Sequence, residues 1–206
     1  MNTPEELSNT SCGFIALVGA PNAGKSTLLN ALVGTKVSIV THKAQTTRSQ
    51  VRGVVTLDQA QLVFIDTPGI FAPKRRLDRA MVDSAWTGAG DADLVAFIVD
   101  AERGITPDLE GLIEGLANIT HPKILILNKI DTIKNEALLA LSQTLNDKLR
   151  FEATFMISAL KGYGVQDFMD WCVKHIPPGP WHFPEDHLTD LTMAITAAEI
   201  TREKLF

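Results

Sequence analysis

The sequence predicts an α/β fold with three layers, in which a mostly parallel, six-stranded sheet lies between helices. Short runs of apolar and β-branched residues recur along the chain, and longer segments with helical spacing separate most of them. The hydrophobic fraction of 45% is ordinary for a globular protein with one large core. The predicted strands are 14–19, 51–57, 61–66, 94–100, 123–128 and 153–158.

Five segments between these runs predict helices, because their apolar residues recur at helical spacing. They are 25–33, 76–88, 107–118, 134–148 and 165–175. The third begins with Thr106, Pro107 and Asp108, where the proline suits the first turn and the acid lies near the positive end of the helix dipole. In the fourth, leucines spaced at i, i+3, i+7 and i+11 predict a stripe that faces the core: Leu138, Leu141, Leu145 and Leu149.

Two of the predicted strands, 51–57 and 61–66, are separated only by the residues around Asp58, Gln59 and Ala60. So short a connection joins antiparallel strands, because a parallel pair needs a long crossover. We therefore expect one antiparallel strand at the edge of the sheet.

The composition and the N-terminal segment limit the class of protein. Residues 1–12 are polar and acidic, which predicts a disordered leader and does not resemble a secretory signal. Cys12 and Cys172 lie far apart without a Cys or His cluster, which disfavours a disulfide framework or a zinc site and favours a reducing, cytoplasmic location. No apolar run approaches the roughly 18 residues of a membrane span. A net charge of −5 argues against strong nucleic-acid binding by this stretch of chain alone.

A domain boundary is predicted near residue 177. The segment HIPPGPWHFPEDHLTD contains four prolines and loses periodicity. We therefore expect residues 13–177 to form one domain, and residues 178–206 to form a linker and the lead-in helix of a further domain. Within this chain we expect that helix to have no core to pack against.

The stretch GAPNAGKS, residues 19–26, lies between a predicted strand and a predicted helix. There the pattern G-x-x-x-x-G-K-[ST] predicts a P-loop NTPase, whose backbone N–H groups surround phosphate oxygens at the positive end of a helix. Lys25 is expected to contact the β- and γ-phosphates, and the Ser26 hydroxyl to bind Mg²⁺. The motif alone leaves ATP and GTP undecided. The predicted nucleotide contacts here are Gly19, Ala20, Pro21, Asn22, Ala23, Gly24, Lys25, Ser26 and Thr27.

The sequence Asp66-Thr67-Pro68-Gly69 ends another predicted strand, at the sheet edge where the phosphate loop lies. Asp66 is expected to orient Mg²⁺ or its bound water, and the Gly69 N–H to point at a γ-phosphate. The alternative is an ordinary turn, because Asp-x-Pro-Gly is also a turn sequence.

Base selection is predicted at Asn128, Lys129 and Asp131, which follow the strand 123–128. Guanine offers N1–H and N2–H₂ donors to a carboxylate such as that of Asp131, whereas adenine would leave the carboxylate unpaired. The alternative is a strand-ending turn with a capping aspartate. A backbone N–H for guanine O6 is expected from the next strand end, at Ser158, Ala159 and Leu160. The order of these segments, each after a strand, favours a P-loop GTPase.

Catalysis is predicted to rest on few side chains. Thr47, in preference to its neighbour Thr46 in the polar loop before strand 51–57, is expected to reach Mg²⁺ and the γ-phosphate in the triphosphate state, and a solvated loop threonine is the alternative. Ile70 stands where many small GTPases carry a water-orienting glutamine. Hydrolysis by Lys25, Thr47, Gly69 and Mg²⁺ is therefore expected to be slow without a partner.

Together the motifs resemble translation-factor-like GTPases with a hydrophobic residue after DTPG, and within them the Era family of bacterial ribosome-assembly GTPases. The resemblance covers about residues 12–206. The segments that carry it are GAPNAGKSTLLNALVG, KAQTTR, DTPGIFAPKRRLDRAM, NKID, SALKGYGV and PEDHLTD with AAEITREKLF. Ala20, Ala23 and Phe71 depart from the residues expected there, which are Arg or Tyr, Val, and His. These changes leave phosphate binding intact.

The resemblance implies an enzyme that converts GTP to GDP and phosphate with Mg²⁺, as a nucleotide-controlled switch in small ribosomal subunit assembly. It implies a KH domain, beyond this stretch, that recognises the 3′ end of 16S rRNA, so that this chain alone is expected to bind nucleotide and to bind RNA poorly. It also implies that Asn22 helps to hold K⁺, with a loop-stabilising asparagine as the alternative. Peripheral association of the full protein with the inner face of the membrane stays open.

Two other classes of function stay open from the residues alone. One is a nucleotide-gated RNA or protein adaptor whose hydrolysis is incidental. The other is an ATPase or a nucleotide kinase, for which Asp131 would have no influence on base preference.

Overall fold

A computed structural model describes residues 10–40, 50–70 and 76–204 of the chain. In these ranges strands and helices alternate as the sequence predicts. The strands are β1 (Ser11–Gly19), β2 (Val51–Leu57), β3 (Ala60–Asp66), β4 (Leu94–Asp100), β5 (Lys123–Asn128) and β6 (Ala153–Ile157). The helices are α1 (Lys25–Val33), α2 (Arg76–Gly90), α3 (Pro107–Ala117), α4 (Asn135–Lys148), α5 (Val165–His175) and α6 (Met193–Lys204), with a 3₁₀ turn at Ile130–Thr132.

The six strands form one sheet in the order β2-β3-β1-β4-β5-β6. Every neighbouring pair is parallel except β2 and β3, which form an antiparallel hairpin with Val54 opposite Val63. The prediction of one antiparallel edge strand is confirmed. Because β1 lies between β3 and β4, the carboxyl ends of all five parallel strands meet at one edge of the sheet.

Both faces of the sheet are covered, because successive side chains of a strand point to opposite sides. Ile15 and Leu17 of β1 pack on one face with residues of α1 and α5, including Leu28 and Phe168. Ala16 and Val18 pack on the other face with residues of α2, α3 and α4. The predicted stripe on α4 is confirmed, since Leu138, Leu141 and Leu145 are buried in this second cluster and Leu149 packs against it.

The first strand is longer than the sequence predicts. β1 begins at Ser11, three residues before the predicted start, and so takes in two residues that were assigned to the leader. Ser11 pairs with Ala60 of β3, and its backbone N–H donates to the carbonyl of Gln59 at 2.9 Å. These partners lie about fifty residues away in the sequence, so the local polarity of the segment gave no sign of them.

The segment after residue 177 runs along the edge strand β2. Thr189 forms an isolated antiparallel bridge with Gly53, and the Val54 N–H donates to the carbonyl of Leu188 at 3.0 Å. Glu203 of α6 forms an ion pair with Lys36, while the described side chains of α6 are exposed or half-buried. Unpaired backbone groups on an edge strand explain why an irregular segment binds there. None of the helices described here is both long and apolar enough to traverse a bilayer.

Candidate nucleotide-binding site

A cavity of about 570 Å³ opens at the carboxyl edge of the sheet, where the loops after the parallel strands meet. That is the expected place for a ligand in an open α/β sheet. It contains residues from all four predicted segments. The lining residues are Pro21, Asn22, Gly24, Lys25, Ser26, Thr27, Ile39, Val40, Gly69, Asp100, Glu102, Arg103, Asn128, Lys129, Asp131, Thr132, Ser158 and Leu160.

Five predicted site residues lie behind this wall and hold it in place: Gly19, Ala20, Ala23, Asp66 and Ala159. Each makes a hydrogen bond to a lining residue, through a backbone group or, for Asp66, through its carboxylate. Thr47, the predicted switch threonine, lies outside the described residues.

The phosphate loop depends on glycine at two positions. Gly24 precedes α1 with φ of 98°, and a Cβ there would lie 2.1 Å from Asn128 Nδ2. A Cβ on Gly19 would lie 2.4 Å from the carbonyl oxygen of Ile98 on the neighbouring strand. Only glycine lacks the Cβ that these close approaches exclude. Asn22 also adopts a positive φ, of 62°, which asparagine tolerates better than most residues.

Lys25 is buried, with 5% of its surface exposed, and its ammonium group points back into the phosphate loop. Nζ donates to the carbonyl oxygens of Gly19 at 3.0 Å and Ala20 at 2.9 Å. Burial lowers the pKa of Lys25 to about 8, although the nearby Asp66 carboxylate opposes the shift. In this state the Lys25 ammonium group, which a polyphosphate would attract, is hydrogen-bonded to carbonyl groups of its own loop.

Nucleotide binding is therefore expected to take up a proton at mildly alkaline pH. Phosphate oxygens beside Lys25 favour its charged form, so binding raises a pKa that starts at about 8. GDP affinity should fall as pH rises from about 8 toward the ordinary value of 10.5. Calorimetric titration in two buffers of different ionisation enthalpy, at a pH just above 8, measures the uptake. Lys25→Met should abolish it, and equal uptake by the two proteins would contradict the assignment.

Ser26 and Asp66 meet at the start of α1. The Ser26 hydroxyl donates to Asp66 Oδ2 at 2.6 Å, and the hydroxyl of Ser38 donates to the same oxygen at 2.8 Å. Asp66 is completely buried. A hydroxyl beside a carboxylate is the kind of oxygen donor set that Mg²⁺ prefers, so these residues fit the predicted metal site.

The turn after β3 packs directly on the phosphate loop. The Ile70 N–H donates to the Gly19 carbonyl at 3.1 Å. A Cβ on Gly69 would lie 2.8 Å from Pro21 Cα, so only glycine brings the backbone this close. The Ile70 side chain is buried in the core, with 6% exposed. An isoleucine side chain has no polar group with which to orient water, so the expectation for position 70 stays a prediction.

Asn128 connects the phosphate loop with the loop after β6. Its Nδ2 donates to the carbonyl of Ala23 at 2.9 Å, and its Oδ1 accepts from the Ala159 N–H at 3.0 Å. The side chain is buried, with 2% of the residue exposed. One amide therefore fixes the spacing between the predicted phosphate-binding and base-binding loops. Both hydrogen bonds of Asn128 are made within the protein, so they form without a bound base.

Asp131 faces the cavity from the turn after β5. The Ser158 hydroxyl donates to its Oδ1 at 2.7 Å, and Lys161 Nζ lies 3.3 Å from its Oδ2. The Ser158 hydrogen bond, with Lys161, lowers the pKa of the Asp131 carboxyl, so the group is ionised at neutral pH. An ionised carboxylate is the acceptor that a pair of guanine N–H donors requires.

Several cavity residues were not predicted from the sequence. Asp100 ends β4, accepts from Lys129 Nζ at 2.6 Å, and could have been found by the strand-end argument that identified Asp66. The other unpredicted lining residues carry no motif: Ile39, Val40, Glu102, Arg103 and Thr132. In the described part of the chain no group of three or more His, Cys, Asp or Glu side chains could hold a metal ion.

Comparison with known proteins agrees with this geometry. The family described as "50S ribosome-binding GTPase" matches residues 14–129. GTPase Era of Mesorhizobium japonicum is 59% identical over 201 residues, which cover 98% of this chain and 65% of the relative. GTPase Era of Brucella suis biovar 1 is 54% identical over 201 residues, with the same two coverages. The chain thus spans about 65% of the length of these curated relatives.

Solved Era structures superpose closely on the fold. One is Era in complex with MgGDPNP and nucleotides 1506–1542 of 16S ribosomal RNA, with a TM-score of 0.89 and 41% identity over 95% of this chain and 67% of that one. An Aquifex aeolicus Era variant bound to GDP and AlF₄⁻ gives a TM-score of 0.88, with the same identity and coverage. The resemblance inferred from the motifs is confirmed. The chain belongs to the 50S ribosome-binding GTPase family and, within it, to the Era GTPases.

Proposed function

We propose that this protein binds guanine nucleotides with Mg²⁺ and hydrolyses GTP to GDP and phosphate. One observation carries the proposal: Asp131 lines the same cavity as Lys25 and Ser26. The buried side-chain amide of Asn128 joins the loop that contains Ala23 to the strand end before Asp131. The relatives named GTPase Era, and the Era structures with GDPNP or GDP and AlF₄⁻, support the choice of nucleotide.

The phosphates are held mainly by backbone and by one cation. The N–H groups of the loop 19–26 face the oxygens at the N-terminus of α1, where the helix dipole adds positive potential. Lys25 exchanges its two carbonyl acceptors for phosphate oxygens. Ser26 and Asp66, with Thr47 in the triphosphate state, would hold Mg²⁺, which when bound neutralises charge on the phosphates.

The base is selected by hydrogen bonding. Asp131 would accept from the N1–H and N2–H₂ groups of guanine, and a backbone N–H of the segment 158–160 would donate to O6, the Ala159 N–H being shared with Asn128 Oδ1. Lys129 is paired with Asp100 and would contribute its aliphatic stem, while Leu160, 82% exposed, lines the cavity beside it. Adenine offers neither of these donors, so it would cover Asp131 without replacing the water that the carboxylate loses, and for that reason the site would reject it.

Hydrolysis proceeds by in-line attack of water on the γ-phosphorus, with positioning and electrostatic stabilisation as the main contributions. The Gly69 N–H and Lys25 stabilise charge on the γ-phosphate oxygens. Because the Ile70 side chain is buried in the core, attack depends on backbone positioning and on groups supplied from outside the described residues. We expect slow turnover by the isolated protein.

Asn22 is proposed to help hold K⁺ in the catalytic state, where the cation would stabilise transferred negative charge as an arginine finger does. It belongs to the phosphate loop and lines the cavity. Single-turnover hydrolysis should be faster in KCl than in NaCl of equal concentration, and Asn22→Ala should remove the difference. Equal rates in the two salts would exclude the K⁺ role and leave a loop-stabilising asparagine.

We also propose that the nucleotide state is communicated to the small ribosomal subunit, in the cytoplasm. The Era structure with part of 16S rRNA supports the small subunit as the partner, whereas the family description names the 50S ribosome and supports only ribosome binding in general. A net charge of −5 does not favour RNA binding by this chain alone, so the contact would be made by a further KH domain of the full protein. Residues 178–206 would then connect the two domains.

Hydrolysis with the particle distinguishes an enzyme switch from a simple adaptor. Single-turnover GTP hydrolysis by the full protein should be faster with purified small subunits than without them. Large subunits serve as the control and should give no acceleration. A rate that small subunits leave unchanged would favour the adaptor, and absence of any GTP hydrolysis would exclude the enzyme.

A further inference from the structure

The carboxylate of Asp66 receives a hydrogen bond from outside the recognised motifs. Its Oδ2 accepts from Ser26 at 2.6 Å and also from Ser38 at 2.8 Å. Ser38 lies in the segment after α1 and is 4% exposed. A buried carboxylate with one oxygen that accepts from two hydroxyl groups is held in place by both of them.

Ser38 is itself fixed by a side chain of α1. Asn30 Oδ1 accepts the backbone N–H groups of Val37 and Ser38, both at 2.9 Å, and Asn30 Nδ2 donates to the Ser38 carbonyl at 2.8 Å. These bonds satisfy both backbone groups of Ser38 and leave its hydroxyl in a defined place. The helix that carries Ser26 in its first turn therefore also positions Ser38.

The direction of the hydrogen bonds has a chemical consequence. A serine hydroxyl has one proton and two lone pairs. Because Ser26 donates its proton to Asp66 Oδ2, its lone pairs are directed away from the carboxylate, as a metal ligand requires. The orientation of Asp66 thus decides the orientation of Ser26.

We propose that Ser38 is a positioning residue for the magnesium site, an inference that rests on the proposed nucleotide-binding function. Ser38 acts through Asp66: it holds Oδ2 where that oxygen accepts the Ser26 proton. Partners behind metal ligands typically change metal affinity by about 10- to 100-fold when they are removed. The same magnitude is expected here for the affinity of Mg²⁺ for the protein–GDP complex.

Thr67 offers a matched control on the same strand end. It follows Asp66 in the chain, is completely buried, and donates its hydroxyl to the carbonyl of Leu17 at 2.7 Å rather than to the carboxylate. Thr67→Val removes a buried hydroxyl with little change of volume. It should lower stability without changing the response to Mg²⁺.

The test measures the Kd of a fluorescent GDP analogue for wild type, Ser38→Ala and Thr67→Val, each with excess Mg²⁺ and with EDTA. Mg²⁺ is also titrated into each GDP complex, and the thermal midpoint of each protein is recorded. For Ser38→Ala we expect a Kd in EDTA within about twofold of wild type, and Mg²⁺ affinity lower by about 10- to 100-fold. Thr67→Val should keep the wild-type Mg²⁺ affinity.

Two results would overturn the inference while leaving the proposed function intact. The first is a Ser38→Ala protein with unchanged Mg²⁺ affinity. The second is an equal loss of GDP affinity with and without Mg²⁺, which shows a general structural role. If the wild-type protein itself bound no GDP, both the inference and the proposed function would fail, so the two failures are distinguishable.

Discussion

Asp131→Asn is expected to change the base preference from guanine to xanthine. The amide offers one acceptor and one donor where the carboxylate offers two acceptors, so it repels the N2–H₂ group of guanine and donates to the 2-carbonyl of xanthine. Affinity for GTP should fall by about 100-fold or more, and affinity for xanthosine triphosphate should rise above it. Competition of each triphosphate against a fluorescent GDP analogue measures both changes.

The control for this experiment is Asp147→Asn, the same substitution at an exposed position on α4. It should leave both affinities unchanged. In the Asp131→Asn protein, Ser158 and Lys161 also lose an ionised partner. The thermal midpoint of each protein should therefore be measured together with its affinities. A base preference that Asp131→Asn leaves unchanged, whichever base the wild type prefers, would contradict the role assigned to Asp131, as expected for an ATPase or a nucleotide kinase that does not read the base here.

Gly24→Ala is expected to abolish nucleotide binding. A Cβ at this position would lie 2.1 Å from Asn128 Nδ2, and the backbone has φ of 98°, which side chains rarely adopt. Relief of the clash would displace the amide that joins Ala23 to Ala159, so the phosphate loop and the base loop would lose their spacing together. We expect GDP affinity to fall by at least about 100-fold, which corresponds to about 2.7 kcal/mol.

Gly34→Ala separates the clash from backbone strain. Gly34 ends α1 with φ of 75°, and a Cβ there would meet nothing within 4 Å. This variant should lose about 1–3 kcal/mol of stability from strain and still bind GDP with nearly wild-type affinity. Circular dichroism melts and GDP titrations of both variants check these outcomes. Normal GDP binding by Gly24→Ala would contradict the role assigned to the Asn128 link.

The sequence could predict the sheet because each strand is a short apolar run, and because the length of the segment between two runs indicates whether the strands are antiparallel or parallel. The hairpin between β2 and β3 followed from only a few residues around Asp58, and the parallel strands followed from the helical segments between the other runs. Polar residues directly after parallel strands were then expected to lie together at the carboxyl edge of the sheet. Asp66, Asn128 and Asp131 lie at that edge for this reason.

The remaining features depend on contacts between distant residues. The hydrogen bond from Ser38 to Asp66 joins positions 28 residues apart and belongs to no motif. The packing of residues 188–190 on β2 satisfies edge-strand groups that no local pattern reveals. The internal hydrogen bonds of Lys25 are also absent from the motif, which describes only the contacts of a bound phosphate. Such features require the tertiary structure.

The central claim is that a loop of backbone amides binds a polyphosphate while Asp131, across the same cavity, selects the base. Titration of the purified protein with GDP, GTP and ATP in the presence of Mg²⁺ tests it most directly. GDP and GTP should bind saturably, and ATP should bind more weakly by about a thousandfold or more. Equal affinity for adenine and guanine nucleotides, or no binding of either, would contradict it.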